Sequence, residues 1–247
     1  MSTSWSYSAY STAVQCLRRY KLCYVDKISQ PGTSGDLAFG SALHSAINSY
    51  LTGGDGRAIF EIYWDSYENK DVTYGRFKWE QLKELGINFC LKFKKWHVPN
   101  HKLISAESRL YGQYKGVKLE GTPDFIGSYT DRCSLRDFKT SGYNYDKGKA
   151  LTALQLNLYA FLALENKIVP KIESLGYTVF NKGTGSIQDM TWDFSERTMY
   201  KQLDDLVAYC QTMETQTTYP RNVNACLYPS KCPYFEICLE QKKEEEA

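Results

Sequence analysis

The chain has 247 residues, enough to bury a full core and close to the upper size for one domain. Apolar residues make up 43% and charged residues 23%, which excludes a disordered chain, and the net charge of +2 excludes a uniformly basic nucleic-acid binder, so any basic groove must be local. No run approaches the ~20 apolar residues that cross a bilayer and the opening segment lacks a signal-peptide core, so a cytoplasmic protein without membrane contact is expected, its eight cysteines reduced.

Residues 6–24 carry apolar and aromatic positions at helical spacing, with Arg18, Arg19 and Lys21 among them. Pro31-Gly32 and Ser34-Gly35 then break the chain. A second helix is predicted over Asp36–Leu51, with Asp36 as N-cap and Gly53-Gly54 as the stop, followed by helical patterns over 56–70 and 76–97. Lys92, Lys94, Lys95 and Lys102, interleaved with aromatics, read either as a phosphate-binding run or as the solvated face of an amphipathic helix.

From Leu103 the period shortens. ISAESRLYG, GVKLEGTPDFIGSY and CSLRDFK alternate between apolar and polar residues and are separated by turn residues, which predicts a strand meander. A helix over 147–165, strands over 172–180 and 186–193, a helix over 195–214 and a cysteine-rich tail ending in KKEEEA complete the chain. The expected class is α/β, a central mixed sheet flanked by helices, in one domain over 1–247. Residues 1–100 form its mainly helical part, 101–195 the catalytic sheet core, and 196–247 the C-terminal helix and cysteine cluster. There is no GxxxxGK[ST] phosphate loop and hence no built-in motor.

A hairpin loop over Tyr129–Arg132 would set Ser128 against Cys133 and Asp124 directly against Asp137, their Cβ atoms ~4.5–5.5 Å apart. Lys139, two residues on, shares the Asp137 face. Two facing carboxylates repel, and a divalent cation between them relieves that repulsion. Oxygen ligands suit Mg²⁺ or Mn²⁺, which activate a water toward a phosphodiester, while a neighbouring lysine orients or helps deprotonate that water and stabilises developing charge. His44, at the edge of the apolar stripe of FGSALHSAINSY, is either a core histidine or a third ligand. Glu107 on the strand ISAES is either a further carboxylate for the site or an exposed polar position. Gln155 and Tyr159 share one helix face, where they either bond to each other or contact a substrate strand.

Together, SWSYSAYSTAVQCLRRYKLCYV, FGSALH, GTPDFIG, DFKT and QLNLY resemble, in order and over nearly the whole chain, the RecB-type branch of the PD-(D/E)xK nuclease superfamily. That branch includes exonucleases of CRISPR adaptation modules and phage recombination nucleases. The resemblance implies a restriction-endonuclease-like core. It makes His44, Asp124, Asp137 and the Phe138 carbonyl metal ligands, Lys139 the residue assisting hydrolysis, and Gln155 and Tyr159 DNA contacts. It further implies exonuclease action on single-stranded or frayed DNA ends in recombination, repair or phage DNA processing, with a helicase or recombination partner or an oligomer supplying processivity. The rival reading is a catalytically silent DNA-binding or assembly subunit.

Cys226, Cys232 and Cys238 recur at six-residue intervals, and clustered thiols in a reducing compartment point to metal. The resembled branch adds Cys16 as a fourth ligand of a [4Fe-4S] cluster, with Cys23 as the substitute for Cys16 and Zn²⁺ or free thiols as the alternatives. The spacing departs from the branch's usual CxxC, Pro229 standing where that cysteine would be. Cys90, Cys133 and Cys210 are expected to be buried apolar residues.

Overall fold

A computed structural model describes residues 4–68, 70, 72–227 and 231–246, with side chains through residue 240. Pro229 therefore lies outside the described residues, as do the side chains of the charged C-terminal end. The chain divides into two compact units, one of 1–32, 113–119 and 204–247, the other of 33–112 and 120–203.

Elements follow in the order α1 (Tyr7–Gln15), α2 (Leu17–Tyr20), β1 (Thr33–Ser34), α3 (Gly35–Leu51), α4 (Gly56–Asp65), β2 (Val72–Thr73), α5 (Trp79–Trp96), β3 (His101–Ser105), β4 (Leu110–Tyr114) and β5 (Val117–Gly121). Then come β6 (Phe125–Tyr129), β7 (Arg132–Ser141), α6 (Gly148–Leu151), α7 (Leu154–Glu165), β8 (Ser174–Asn181), β9 (Ser186–Asp193), α8 (Glu196–Glu214) and α9 (Phe235–Glu246).

The opening helical pattern breaks at Cys16, whose extended backbone (φ −162°, ψ 114°) separates α1 from α2, and a π-helical turn over Lys21–Val25 ends it. The cap of α3 is Ser34, whose hydroxyl accepts the Leu37 N–H at 3.2 Å, and Asp36 instead sits in the first turn, where an acidic side chain favours the helix dipole. The helix expected over 147–165 is interrupted at Thr152-Ala153, between α6 and α7.

The central sheet of the second unit runs β3-β6-β7-β8-β9, with β7 and β8 parallel and the other pairs antiparallel. It is the mixed α/β sheet flanked by helices that the strand and helix patterns predict. The run from Leu103 is not one meander, however. β4 and β5 form a two-stranded sheet of their own, through a turn at Lys115-Gly116 with both residues at positive φ and with Trp5 bridging to Leu119 of β5, and β3 skips them to join β6.

The core on one face is aromatic. Phe39, Phe60, Trp64, Phe89 and Phe93 from α3, α4 and α5 meet Phe125, Phe138 and Phe180 of the sheet. Each such ring removes roughly 150–250 Å² from water, so this cluster contributes substantially to the unit's stability. Because side chains alternate along a strand, burying Phe138 against Phe93 (centroids 5.7 Å apart) turns Asp137 and Lys139 to the other face. There α7, apolar on all sides and buried from Leu156 to Ala163, packs on β7.

Candidate active site

The β6–β7 hairpin has the register expected of it, Ser128 facing Cys133, but its loop is two residues rather than four. Tyr129 pairs with Arg132, and Thr130 and Asp131 take φ 48° and 63°, the left-handed pair of a type I′ turn. The ladder ends at Phe125 and Arg136. Asp124 then leaves the strand, and its Oδ2 accepts the Phe138 N–H at 2.7 Å, so a side chain takes the place of the next ladder bond.

Pro123 ends that strand, having no N–H to pair, and its carbonyl accepts the Glu107 N–H at 2.9 Å. Glu107 is therefore not on a strand as expected. It lies in the turn between β3 and β4 with φ 51°, fixed beside Asp124. Ligand atoms of His44, Glu107 and Asp124 all lie within 4.8 Å of one another, with His44 Nδ1 3.7 Å from Asp124 Oδ1. Asp137 is buried next to them, and Lys139 Nζ stands 2.7 Å from its Oδ2.

The electrostatics show crowding of like charge. Burial pushes the Asp124 carboxyl well above the ordinary range, and Asp137 pushes it further, against the pull of Lys139 and the Phe138 N–H. Burial and Asp137 also raise Glu107. His44 is lowered, chiefly by burial, which leaves its imidazole neutral and able to bind metal. Burial would lower Lys139, but Asp137 and then Asp124 hold it above the usual lysine range and therefore charged. A neutral imidazole and close carboxylates in need of positive charge fit a hard divalent cation.

Gln155 Nε2 donates to the Tyr159 hydroxyl at 2.9 Å, and burial pushes the Tyr159 phenol up to about 12, with Asp137 and Asp124 adding to the rise. Of the two sequence alternatives, the hydrogen-bonded pair on one helix face is therefore present. Gly121 of the GTPD segment makes room for it, since a Cβ there would meet the Tyr159 ring at 2.6 Å. A cavity of about 540 Å³ opens from His44 and Glu107 along α3, past Ser45, Ser41 and Gly40 to Asp36, with Thr140 of β7 on its wall.

In the first unit, Cys16, Cys226, Cys232 and Cys238 line a single cavity of about 320 Å³, whereas Cys23 lies against Tyr234. The extended backbone of Cys16 presents its sulfur to the Asn222 N–H at 3.4 Å, and Arg221 Nε donates to Cys238 Sγ at 3.1 Å. Burial raises the Cys226 thiol, and Cys16, Cys232 and Cys238 each raise it further, the mark of thiols that share one site. Cys90 and Cys210 are buried and pushed up to about 12 by burial, as inert core thiols are, while Cys133 is only half-buried.

Sequence reading alone does not reveal Arg136, which is fully buried on β7 and donates to Asp189 at 2.9 Å and Thr191 at 2.8 Å, nor Arg221 beside the cysteines. A charged residue inside the apolar run SLRDF is the one signal for Arg136.

A mixed sheet that ends in paired carboxylates, with a lysine two residues on, is the arrangement of nuclease folds that employ divalent metal. The chain belongs to the PD-(D/E)XK nuclease superfamily, whose profile matches residues 4–239. A crystal structure of a candidate exonuclease from Eubacterium rectale superposes with a TM-score of 0.62 at 11% identity, covering 95% of this chain and 87% of that one, which shows a shared fold. A structure named SSO0001 gives a TM-score of 0.35 at 16% identity over 90% and 94% of the two chains, too low to carry an argument. No curated protein matches the sequence.

Proposed function

We propose that this chain is a RecB-type exonuclease that hydrolyses DNA phosphodiesters from single-stranded or frayed ends with Mg²⁺ or Mn²⁺. The observation that carries the proposal is the convergence of His44, Glu107 and Asp124 ligand atoms within 4.8 Å, beside the Asp137–Lys139 pair at 2.7 Å. His44, Asp124, Asp137 and the Phe138 carbonyl hold the cation, and Glu107 completes the acidic set. A divalent cation bound there supplies Lewis acidity toward the scissile phosphate and activates the attacking water. Lys139, held beside Asp137 at 2.7 Å, orients or helps deprotonate that water and neutralises charge developing on the phosphate. Gln155 and Tyr159 hold the substrate strand against the site.

The four cysteines hold a [4Fe-4S] cluster. All four line one cavity of about 320 Å³, which leaves room for a polyatomic cluster, and Arg18, Arg19 and Arg221 on its wall offset the negative charge of four thiolates. The cluster joins the N-terminal helical segment to the C-terminal tail within the first unit. We place the protein in recombination, repair or phage DNA processing in the cytoplasm, with DNA as substrate and a helicase or recombination partner supplying movement. Among the described residues no helix is long and apolar enough to cross a membrane.

Incubation with linear and circular single-stranded DNA of the same sequence in Mn²⁺ tests the end-acting reading. Degradation of the linear form alone is expected, and equal loss of the circle contradicts it.

A further inference from the structure

The loop that leaves the catalytic strand is held unusually firmly for an exposed segment. Tyr145 donates its N–H to Gln188 Oε1 at 2.8 Å, and the Gln188 amide returns a bond to the Tyr145 carbonyl at 2.9 Å. Asn181 donates to Asn144 Oδ1 at 2.7 Å, and the Tyr143 N–H bonds to Ser141 Oγ at 3.2 Å. The loop also lies so close to the segment after β8 that a Cβ at Gly183 would meet the Gly142 carbonyl at 2.5 Å.

This pinned backbone displays Tyr143 with 71% of its surface exposed. Tyr143 is three residues beyond Thr140, which lines the cleft, and so stands within about 11 Å of it. An exposed aromatic on a pinned backbone, four residues beyond Lys139, offers the kind of face that single-strand binders use to stack unpaired bases.

The cleft's outer end is prepared for a phosphate chain as well. Asp36, the acidic residue there, is ion-paired with the buried Lys182, whose N–H is anchored to the Ser141 carbonyl at 2.7 Å. That pairing cancels a charge that would repel the backbone. From His44 to Asp36 the cleft follows two turns of α3, ~12 Å, or about four stacked nucleotides at ~3.4 Å each.

We propose that Tyr143 is a base-stacking platform at the mouth of the cleft, which holds an unpaired base of the substrate strand a few nucleotides from the scissile phosphate. This rests on the nuclease reading above and extends it, since a base stacked between neighbours within a duplex cannot offer its face. Tyr143 thus selects single-stranded or frayed ends and acts on substrate affinity, not on the chemical step.

The test uses the full chain and fluorescein-labelled oligothymidine in Ca²⁺, with binding read by anisotropy, alongside an oligonucleotide of equal length whose bases are absent. Tyr143→Ala is expected to weaken oligothymidine binding about 5- to 150-fold, the usual loss for one stacked base, with Tyr143→Phe binding as wild type. Wild type and Tyr143→Ala should bind the abasic strand equally. In Mn²⁺, KM should rise in Tyr143→Ala with kcat at saturation unchanged. Oligothymidine binding by Tyr143→Ala equal to wild type, or no preference of wild type for bases, overturns the platform. If wild type cleaves DNA in that case, only the platform fails; if wild type neither binds nor cleaves, the nuclease reading fails with it.

Discussion

The Asp124 carboxylate accepts the Phe138 N–H at 2.7 Å, at the point where pairing between β6 and β7 has stopped. One oxygen thus replaces a ladder bond while the other faces His44 at 3.7 Å, so the carboxylate that begins the site is also a structural brace. The candidate metal site is in this sense built from the end of a hairpin.

That dual role separates charge from hydrogen bonding in Asp124→Asn. The amide oxygen still accepts the Phe138 N–H, but repulsion from Asp137 and Glu107 and the burial of a charge are removed. Without divalent ions, the variant should melt higher than wild type by on the order of 2–4 °C, the shift that ~1 kcal/mol gives a chain of this size. Adding Mn²⁺ should raise the Tm of wild type and leave the variant unchanged, which thermal melting measures directly.

Arg136 is fully buried and balanced by Asp189 at 2.9 Å, with His97 Nδ1 2.9 Å from the other Asp189 oxygen. Burial alone would raise Asp189, but the His97 hydrogen bond and then the Arg136 charge hold it far below the usual carboxylate range. A carboxyl lowered in the folded state contributes stability that is complete above its unfolded value of ~3.9 and is lost as the pH falls below that. Asp189→Asn should cost about 3–5 kcal/mol at neutral pH by leaving Arg136 without a charge partner. The variant should also lose part of the wild-type decline in denaturant midpoint below about pH 4.

Gly86 sits inside α5, where alanine would ordinarily gain the helix ~1 kcal/mol. A Cβ at that position would meet the Phe60 ring at 1.9 Å, within the packed aromatic core. Overpacking of this kind costs about 1–3 kcal/mol and outweighs the propensity gain, so Gly86→Ala should lower the urea midpoint. A higher midpoint would show that Phe60 has room to turn aside.

Anaerobically purified protein should be brown and contain iron. Cys226→Ser should lose both the colour and the iron, while Cys23→Ser should keep them, because Cys23 lies against Tyr234 and not on the cavity wall. Stoichiometric zinc in a colourless protein would contradict the iron assignment.

Much of the site was legible in local sequence. The register follows from placing a hairpin loop over Tyr129–Arg132, even though the turn is a pair tighter than that and the ladder stops at Phe125 and Arg136, one pair short of setting Asp124 directly against Asp137. Periodicity puts Glu107 on a strand, but its position depends on a left-handed backbone and on the Pro123 carbonyl, a contact between segments that periodicity does not encode. The separate β4–β5 hairpin was hidden for a similar reason. Its strands look like their neighbours, and only tertiary pairing decides that β3 joins β6 instead. The sequence pattern puts the N-cap at Asp36 where Ser34 holds it, because both residue types cap well and the fold selects between them.

The most direct measurement compares wild type with Lys139→Ala on end-labelled single-stranded DNA in Mn²⁺, with Mn²⁺ affinity measured on the same preparations. Wild type should release labelled nucleotides while Lys139→Ala releases on the order of 10²–10³-fold less and still binds Mn²⁺, as expected when a group that stabilises the transition state is removed. Equal degradation by the two proteins would contradict the assignment of the active site.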